Sequence, residues 1–486
     1  MTHDHSGSEP KPFWIAGEPR TSETVVTVKS PFNGAVAGSY YVPTALNVEQ
    51  AVAGAHDSIR ASASLTASAR AAALDHISRQ IAARSEEIAS VITSENGKPI
   101  MWANAEVGRA VSTFRWAAEE ARRWSGDLQR LDTDPAAAGR LALVRRFSKG
   151  PILGIAPFNF PLNLVAHKVA PALAIGAPII IKPAPATPLS ALILGEIMAE
   201  TDLPVGSWSV LPIGNDETRD LVQDERLPVI SFTGSETVGY AIQAAVPRKH
   251  VTLELGGNAA AVVLEDWSSN EDLEWAATRA AMFANYQAGQ SCISVQRVIV
   301  DSTLAEKFVP LLTEKVRALT TGSPWDDKTV VGPVINEAAA VRIEEWVAEA
   351  KAQGANVVLG GGREGCQVEP TLITDAPQDA RVLSEEVFGP VLVVTVVNGA
   401  DEAFEAVNAS RFGLQAGIFT HNVQYAFSAF SELEVGGVIV GDVPSFRADQ
   451  MPYGGVKSSG VGREGVRAAM EDLSYEKTMV LTGIDL

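Results

Sequence analysis

The chain has 486 residues and two cysteines, and one of the two, Cys292, stands in NYQAGQSCIS (residues 285–294). Its neighbours Gly289, Gln290, Ser291 and Ser294 are poor core formers, and small side chains let a ligand come close to the sulfur. An unperturbed thiol, with a pKa of about 8.5, is only slightly ionised at neutral pH, so a nucleophilic role requires a base, a helix terminus or a cation nearby. The segment alone fits an active thiol and an inert one equally well. Cys366, in GREGCQVEP, reads as a small buried hydrophobe.

Glu254 is the second candidate. In TLELGGNAA it closes a strand-like run just before two glycines, where a carboxylate can project into a cleft and move a proton; a solvated turn glutamate is the alternative. Other chemistries lack their signs. The seven histidines show no HExxH or other ligand spacing, so no metal site is expected. No GxSxG elbow marks a serine hydrolase. GGGREG (360–365) fits GxGxxG as a string, yet CQVEPTL follows it where a helix should open. In GSETVGYA, Gly234 to Ala241, the glycines have P-loop spacing but Tyr240 occupies the lysine place, which disfavours a nucleoside triphosphatase. Ser235 still opens an amphipathic helix after a strand, a place suited to a phosphate, or else it is an ordinary N-cap.

The elements that must position these residues follow from periodicity. Residues 66–92 and 104–124 carry helix formers with apolar residues three and four apart. From 125 to 150 a Pro and Gly tip between two arms reads as a protruding hairpin. Between 151 and 257 strand-like runs (PILGIA, APIIIK, SWSVLPI, PVISF, HVTLEL) alternate with helical ones, the mark of a parallel sheet with crossover helices. Ligands of such sheets gather beyond the carboxyl ends of the strands. That rim holds Pro157, Phe158, Asn159, Lys182, Gly214, Thr233 to Ser235 and Glu254. A second alternating block spans 258–440, with AAVVLE, RVIVD and VLVVTVV as strands and a helix that puts Ile343, Trp346, Val347 and Ala350 on one face.

Composition bounds the rest. Hydrophobic residues at 46% and charged residues at 20% suit a globular protein, with disorder expected only in the first dozen residues. A formal charge of −19 disfavours nucleic acid and anionic membrane surfaces. The apolar stretch 152–181 is long enough to cross a bilayer, but Pro157, Pro161, Pro171, Pro178, His167 and Lys168 argue for a buried core. Two cysteines without CxxC, and a start without a signal-peptide pattern, point to the cytoplasm.

Taken together, PFNFPLN, IIIKPAPATPLS, SFTGSETVG, LELGGN, GQSCIS, EEVFGPV and MPYGGVKSSG, in that order along nearly the whole chain, resemble the aldehyde dehydrogenase superfamily. The resemblance implies an α/β fold with a Rossmann-type cofactor domain (1–124 and 147–257), a second α/β catalytic domain (258–440), and a small β oligomerisation flap (125–146 and 465–486) that builds homodimers or homotetramers. It implies Cys292 as nucleophile, Glu254 as base and Asn159 as oxyanion donor. It assigns Lys182 to the adenosine ribose, Gly234 and Ser235 to the pyrophosphate, and Glu386 with Phe388 to the nicotinamide end. Ile155, Ala156, Pro157, Phe158, Gly214, Val238 and Leu255 complete the expected coenzyme contacts.

The implied reaction converts an aldehyde to a carboxylic acid with NAD or NADP through a thiohemiacetal and a thioester on Cys292, hydrolysed with Glu254 as base. Relatives that transfer the acyl group to coenzyme A tend to lack that carboxylate, so a free acid is expected. Many NAD-preferring relatives carry a glutamate three places after the lysine; here Pro185 stands there, and Ala186 and Thr187 add no cation. NAD is therefore slightly favoured, with dual use. Arg447 and Phe160 are the candidate substrate contacts, Arg447 as an anchor for an anionic group or as a surface arginine paired with an acid. Ser291 stands where some relatives that take anionic aldehydes place an arginine, which weighs against an anionic substrate. A cofactor-independent cysteine hydrolase or acyltransferase, and a non-catalytic binding protein of the same fold, are the alternatives.

Overall fold

The structure, a computed structural model, describes residues 9–483. Of the opening dozen residues expected to be disordered, 1–8 lie outside the described range. Residues 9–12 do not fit that expectation: the Lys11 backbone N–H donates to the Ser39 carbonyl at 2.8 Å, and its ammonium pairs with Glu196 at 2.8 Å. These two attachments tie the segment down.

The five strand-like runs between 151 and 257 form the parallel centre of an eight-stranded sheet. Its central order is Trp208–Val210, Ile179–Lys182, Ile152–Ile155, Val229–Thr233, His250–Glu254. Phe13–Ile15 joins one edge antiparallel and Gly460–Val461 the other. The chain winds outward from Ile152–Ile155 in one direction and resumes beside it with Val229–Thr233 in the other. That reversal opens a crevice at the carboxyl ends of these two strands. Residues 152–181, long enough to imitate a membrane span, are a strand, a loop, the fully buried helix Asn163–Ile175 and the start of the next strand. Among the described residues no helix is long and apolar enough to cross a membrane.

A second sheet of seven strands has Ala260–Val263 paired in parallel with Arg297–Asp301 and with Gln415–Phe419. Its helix Glu337–Ala352 buries Ile343, Val347 and Ala350 and half-buries Trp346, as the 3.6-residue period requires. The 125–150 segment is a hairpin, Gly126–Arg130 with Arg140–Ser148, and Ser474–Thr482 adds a third strand to it. GGGREG opens no helix; it lies at a short antiparallel pairing of Arg363–Glu364 with Gln367–Val368. Cys366 is half-buried against an apolar cluster rather than enclosed, because this hairpin runs along the surface.

Local chemistry sets the helix ends that matter. The 66–92 helical stretch is two helices, Ala67–Ala83 and Ser85–Asn96, broken at Arg84, whose guanidinium reaches Glu87 and Glu196. Ser269 and Asp272 form a capping box that starts Asn270–Asn285. The helix Ile100–Arg123 buries Glu106, which accepts from the backbone N–H groups of Leu162 (2.9 Å) and Asn163 (3.1 Å) at the start of Asn163–Ile175. A carboxylate at that helix N-terminus is electrostatically favourable, and it fixes the loop that carries Asn159.

Candidate active site

Cys292 follows a backbone held in an unusual shape. After Asn270–Asn285, Gln287 (φ 52°), Ala288 (φ 55°) and Gly289 (φ 70°) are successively left-handed, and all are buried. Two non-glycine residues in that region cost on the order of 1–3 kcal/mol each, so the surroundings must enforce them. The Gln287 side-chain amide donates to the Asn159 carbonyl, and Gln290 Oε1 accepts from the Ile335 N–H at 2.9 Å. A Cβ at Gly289 would stand 2.0 Å from the Gly389 carbonyl oxygen, so only glycine fits. The turn delivers Cys292, half-buried, to the wall of a cavity of about 230 Å³.

Behind the sulfur lie two buried carboxylates in contrasting states. Neither oxygen of Glu254 has a hydrogen-bond partner among the described residues. Burial, reinforced by the negative charge of Glu464, raises its pKa well above the usual carboxylate range, against the pull of Arg447 and Lys168. Glu464 suffers the same burial penalty, yet Lys168 at 3.2 Å and Arg447 at 3.1 Å hold its pKa low. Unequal partners thus leave one carboxylate ionised and the other readily protonated, the arrangement suited to proton transfer. Burial also pushes the Cys292 thiol up to about 11; a hydrogen bond with Tyr453 opposes this and the charges of Glu386 and Glu254 add to it.

Asn159 is buried beside the cysteine turn, its side-chain N–H donating to the Gln290 carbonyl at 3.0 Å. The Asn159 carbonyl accepts from Lys98 Nζ at 2.9 Å; Lys98, wholly buried, pairs with Glu106 and lies 4.2 Å from the centre of the Phe160 ring. The loop after Ile152–Ile155 is therefore pinned to the turn that bears Cys292.

A second cavity, of about 540 Å³, lies at the crevice of the first sheet. Ile155, Ala156, Pro157, Lys182, Gly234, Ser235 and Val238, all expected from the sequence, line it. Ser235 is the N-cap residue of Glu236–Ala245 but makes no side-chain capping bond, so the N–H groups at this helix end are left to the cavity. Lys182 is buried, its pKa lowered to about 8 by that burial, with Asn215 at 3.5 Å and no ion-pair partner among the described residues. A cavity with an uncapped helix N-terminus and an unpaired ammonium fits the phosphates and ribose of a dinucleotide.

Phe158, Gly214, Leu255, Glu386 and Phe388 do not line that cavity. Phe158 and Phe388 meet edge to face, with centroids 5.8 Å apart. Glu386 accepts from the Gly257 N–H at 3.0 Å, its pKa is raised by burial to about 7, and a Cβ at Gly256 would stand 2.2 Å from its carboxylate. The charge of Glu386 is felt at Cys292. Leu255 packs on Gly239 of the Glu236–Ala245 helix, and Gly214 precedes the helix Asn215–Gln223. That helix brings Arg219, a largely exposed cation, to the cavity wall. Proximity along the chain missed it, since Arg219 is 37 positions from Lys182.

The smaller cavity is walled by Phe160 and Arg447, both expected, and by Arg109, Arg279, Tyr286 and Tyr453, which the sequence did not single out. Arg447 is paired with an acid, Glu464, but is buried, not a surface residue. Its Nε has no hydrogen-bond partner among the described residues. Arg109 pairs with Asp449 at 2.9 Å and Arg279 with Asp442 at 2.7 Å. Among the described residues no cluster of His, Cys, Asp and Glu could hold a metal ion.

Known proteins share this fold along nearly the whole chain. The chain is 39% identical to 3-sulfolactaldehyde dehydrogenase of Priestia aryabhattai over 470 residues, covering 96% of this chain and 97% of that one. Aldehyde dehydrogenase 21 of Physcomitrella patens, solved in complex with the reaction product succinate, superposes with a TM-score of 0.95 at 40% identity, covering 98% of this chain and 99% of that one. The NADP-dependent glyceraldehyde-3-phosphate dehydrogenase of Bacillus halodurans, complexed with NADP, gives a TM-score of 0.93 at 32% identity, covering 98% and 100%. With the aldehyde dehydrogenase family profile matching residues 14–479, the chain belongs to the aldehyde dehydrogenase family and is an NAD(P)-dependent enzyme that oxidises aldehydes.

Proposed function

We propose that the substrate is a short aldehyde with an anionic group, oxidised to the free acid with Cys292 as nucleophile, Glu254 as base and Asn159 as an oxyanion donor. The observation that carries this reading is the cavity beside Cys292, about 230 Å³ in volume, with Arg109, Arg279 and Arg447 in its wall. Its size admits a small molecule, and three guanidinium groups favour a carboxylate, sulfonate or phosphate at the end away from the carbonyl. Ser291 stands where some relatives that take anionic aldehydes carry an arginine; here Arg109, Arg279 and Arg447, from distant parts of the chain and each already paired with an acid, offer their remaining N–H groups to an anion. Curated and solved relatives include a 3-sulfolactaldehyde dehydrogenase and an enzyme holding succinate, which agrees with an anionic product.

Cys292 attacks the carbonyl carbon as a thiolate, and the oxyanion of the tetrahedral adduct is met by the Asn159 side-chain amide and the Cys292 backbone N–H. A nicotinamide coenzyme, when bound, serves as the oxidant that leaves a thioester on the sulfur. Glu254 then takes a proton from water, which attacks the thioester and releases the acid. Lys182, Gly234 and Ser235 hold the adenosine and pyrophosphate end; Glu386 and Phe388 hold the nicotinamide end. Pro185 leaves room for a 2′-phosphate, and Arg219 on the same wall supplies the missing cation, so NADP is used as well as NAD.

The hairpin sheet is proposed to join copies into a homodimer or homotetramer, since Leu128, Met479 and Val480 on it are exposed hydrophobics. The free thiols suit a cytoplasmic location. The test is a panel of succinic semialdehyde, sulfoacetaldehyde and neutral aldehydes of equal length, with both coenzymes, following reduced nicotinamide. Anionic aldehydes should give the higher kcat/KM; a preference for the neutral ones would overturn the substrate assignment.

A further inference from the structure

Apart from the charge of Arg447, the nucleophile lacks the usual aids among the described residues. Cys292 lies in a turn rather than at a helix N-terminus, no histidine lines its cavity, and the nearest acids, Glu386 and Glu254, oppose ionisation. Among the described residues one polar group touches the sulfur: the Tyr453 hydroxyl, 3.0 Å from Sγ.

We infer that Tyr453 is a catalytic residue, its phenol donating a hydrogen bond to the Cys292 thiolate and so stabilising the reactive form. The inference rests on the reading of Cys292 as nucleophile. With the thiol protonated, either atom can donate. Once the sulfur has lost its proton, only the phenol can, and a bond accepted by a charged atom is about twice as strong as a neutral one. The hydroxyl is therefore worth more to the thiolate than to the thiol.

Its surroundings keep the phenol a donor and hold it still. Tyr453 is 3% exposed. Its backbone exchanges hydrogen bonds with Glu464, N–H to carbonyl at 3.0 Å and the reverse at 2.6 Å. The Arg447 guanidinium lies 3.7 Å from the ring centroid, fixed there by Glu464. A cation on the ring face draws electron density from the ring and makes the O–H a better donor. Burial and the neighbouring sulfur both disfavour a phenolate, so the proton stays on oxygen. Among the other groups facing the sulfur, Arg447 favours the thiolate through space, while the Tyr286 hydroxyl is occupied by Ser291 at 2.5 Å.

The test is the pH dependence of iodoacetamide alkylation at Cys292, located by peptide mass mapping, in the full-length enzyme and in Tyr453→Phe. The midpoint should rise by about one unit, kcat/KM at pH 7 should fall about tenfold, and the difference should close at alkaline pH, since one unit of pKa is a factor of ten in thiolate. Placing the more acidic 3-fluorotyrosine at 453 should lower the midpoint, and this replacement disturbs packing least if the Phe variant folds poorly. Midpoints unmoved by either replacement would overturn the role of Tyr453. Full activity in Cys292→Ser would instead overturn the nucleophile assignment, so the two failures are distinct.

Discussion

Arg447 and Glu464 lie side by side, Nη2 to Oε2 at 3.1 Å, with 5% and 3% of their side chains exposed. The pair joins the two halves of the chemistry. Arg447 lines the cavity beside Cys292 and covers Tyr453, while Glu464, shared with Lys168, adds to the burial that raises the pKa of Glu254. A buried ion pair of this kind is costly to break, because the survivor is left as an uncompensated charge.

Replacing Arg447 should therefore damage more than binding. Arg447→Ala is expected to abolish the preference for succinic semialdehyde over a neutral aldehyde of the same length and to lower the melting temperature. Arg109→Gln, on a half-buried arginine, should reduce the same preference by roughly tenfold, the worth of one charge-assisted contact, with less loss of stability. Steady-state kinetics on both aldehydes, with thermal melts, separate the effects. A preference unchanged in both variants would sink the anionic anchor.

Glu254→Gln keeps the shape of the side chain and removes the base. Turnover should drop about 10²- to 10⁴-fold, the span of general base catalysis. The first turnover should remain, so mixing enzyme with aldehyde and coenzyme should give a burst of reduced nicotinamide and an acyl-enzyme visible by intact mass. Asn159→Ala should slow the formation of that acyl-enzyme instead, by about 3 kcal/mol for one lost oxyanion donor, with coenzyme affinity retained.

The pH profile follows from two raised pKa values. In the roles proposed for them, Glu254 is a base only when ionised and Cys292 a nucleophile only as thiolate, so each contributes more as pH rises. Turnover should climb from neutral toward alkaline pH, not fall, and the thiol's midpoint near 11 leaves kcat/KM still rising at pH 9. Initial rates measured across this range with saturating coenzyme provide the check.

Arg219→Ala should raise the KM for NADP about tenfold and leave that for NAD nearly unchanged, because only the former carries a phosphate on the adenosine ribose. Lys182 has its pKa lowered to about 8, so its charge is present below that pH and lost above it. Affinity for both coenzymes should weaken as pH rises past about 8. Coenzyme titrations by fluorescence at three pH values test both statements.

Much of this is legible in the sequence. Alternating strand and helix runs located the parallel sheet, and residues ending its strands, such as Lys182 and Ser235, fell on the cavity wall because crossover topology puts them there. Residues arriving from elsewhere were not legible. Arg109 comes from the helix Ile100–Arg123, Arg219 from Asn215–Gln223, Tyr453 and Glu464 from the segment returning to the first sheet. No local pattern marks a buried arginine or tyrosine that faces a cavity built from distant segments. The left-handed turn at Gln287 and Ala288 was also hidden, since neither residue type favours it and tertiary contacts impose it.

One oxygen atom, the Asn159 carbonyl, receives hydrogen bonds from both Lys98 and Gln287. The strand-end loop that greets the coenzyme and the turn that presents the sulfur are thus fastened to a common rivet. Neither segment can shift far without drawing on a bond to that single oxygen.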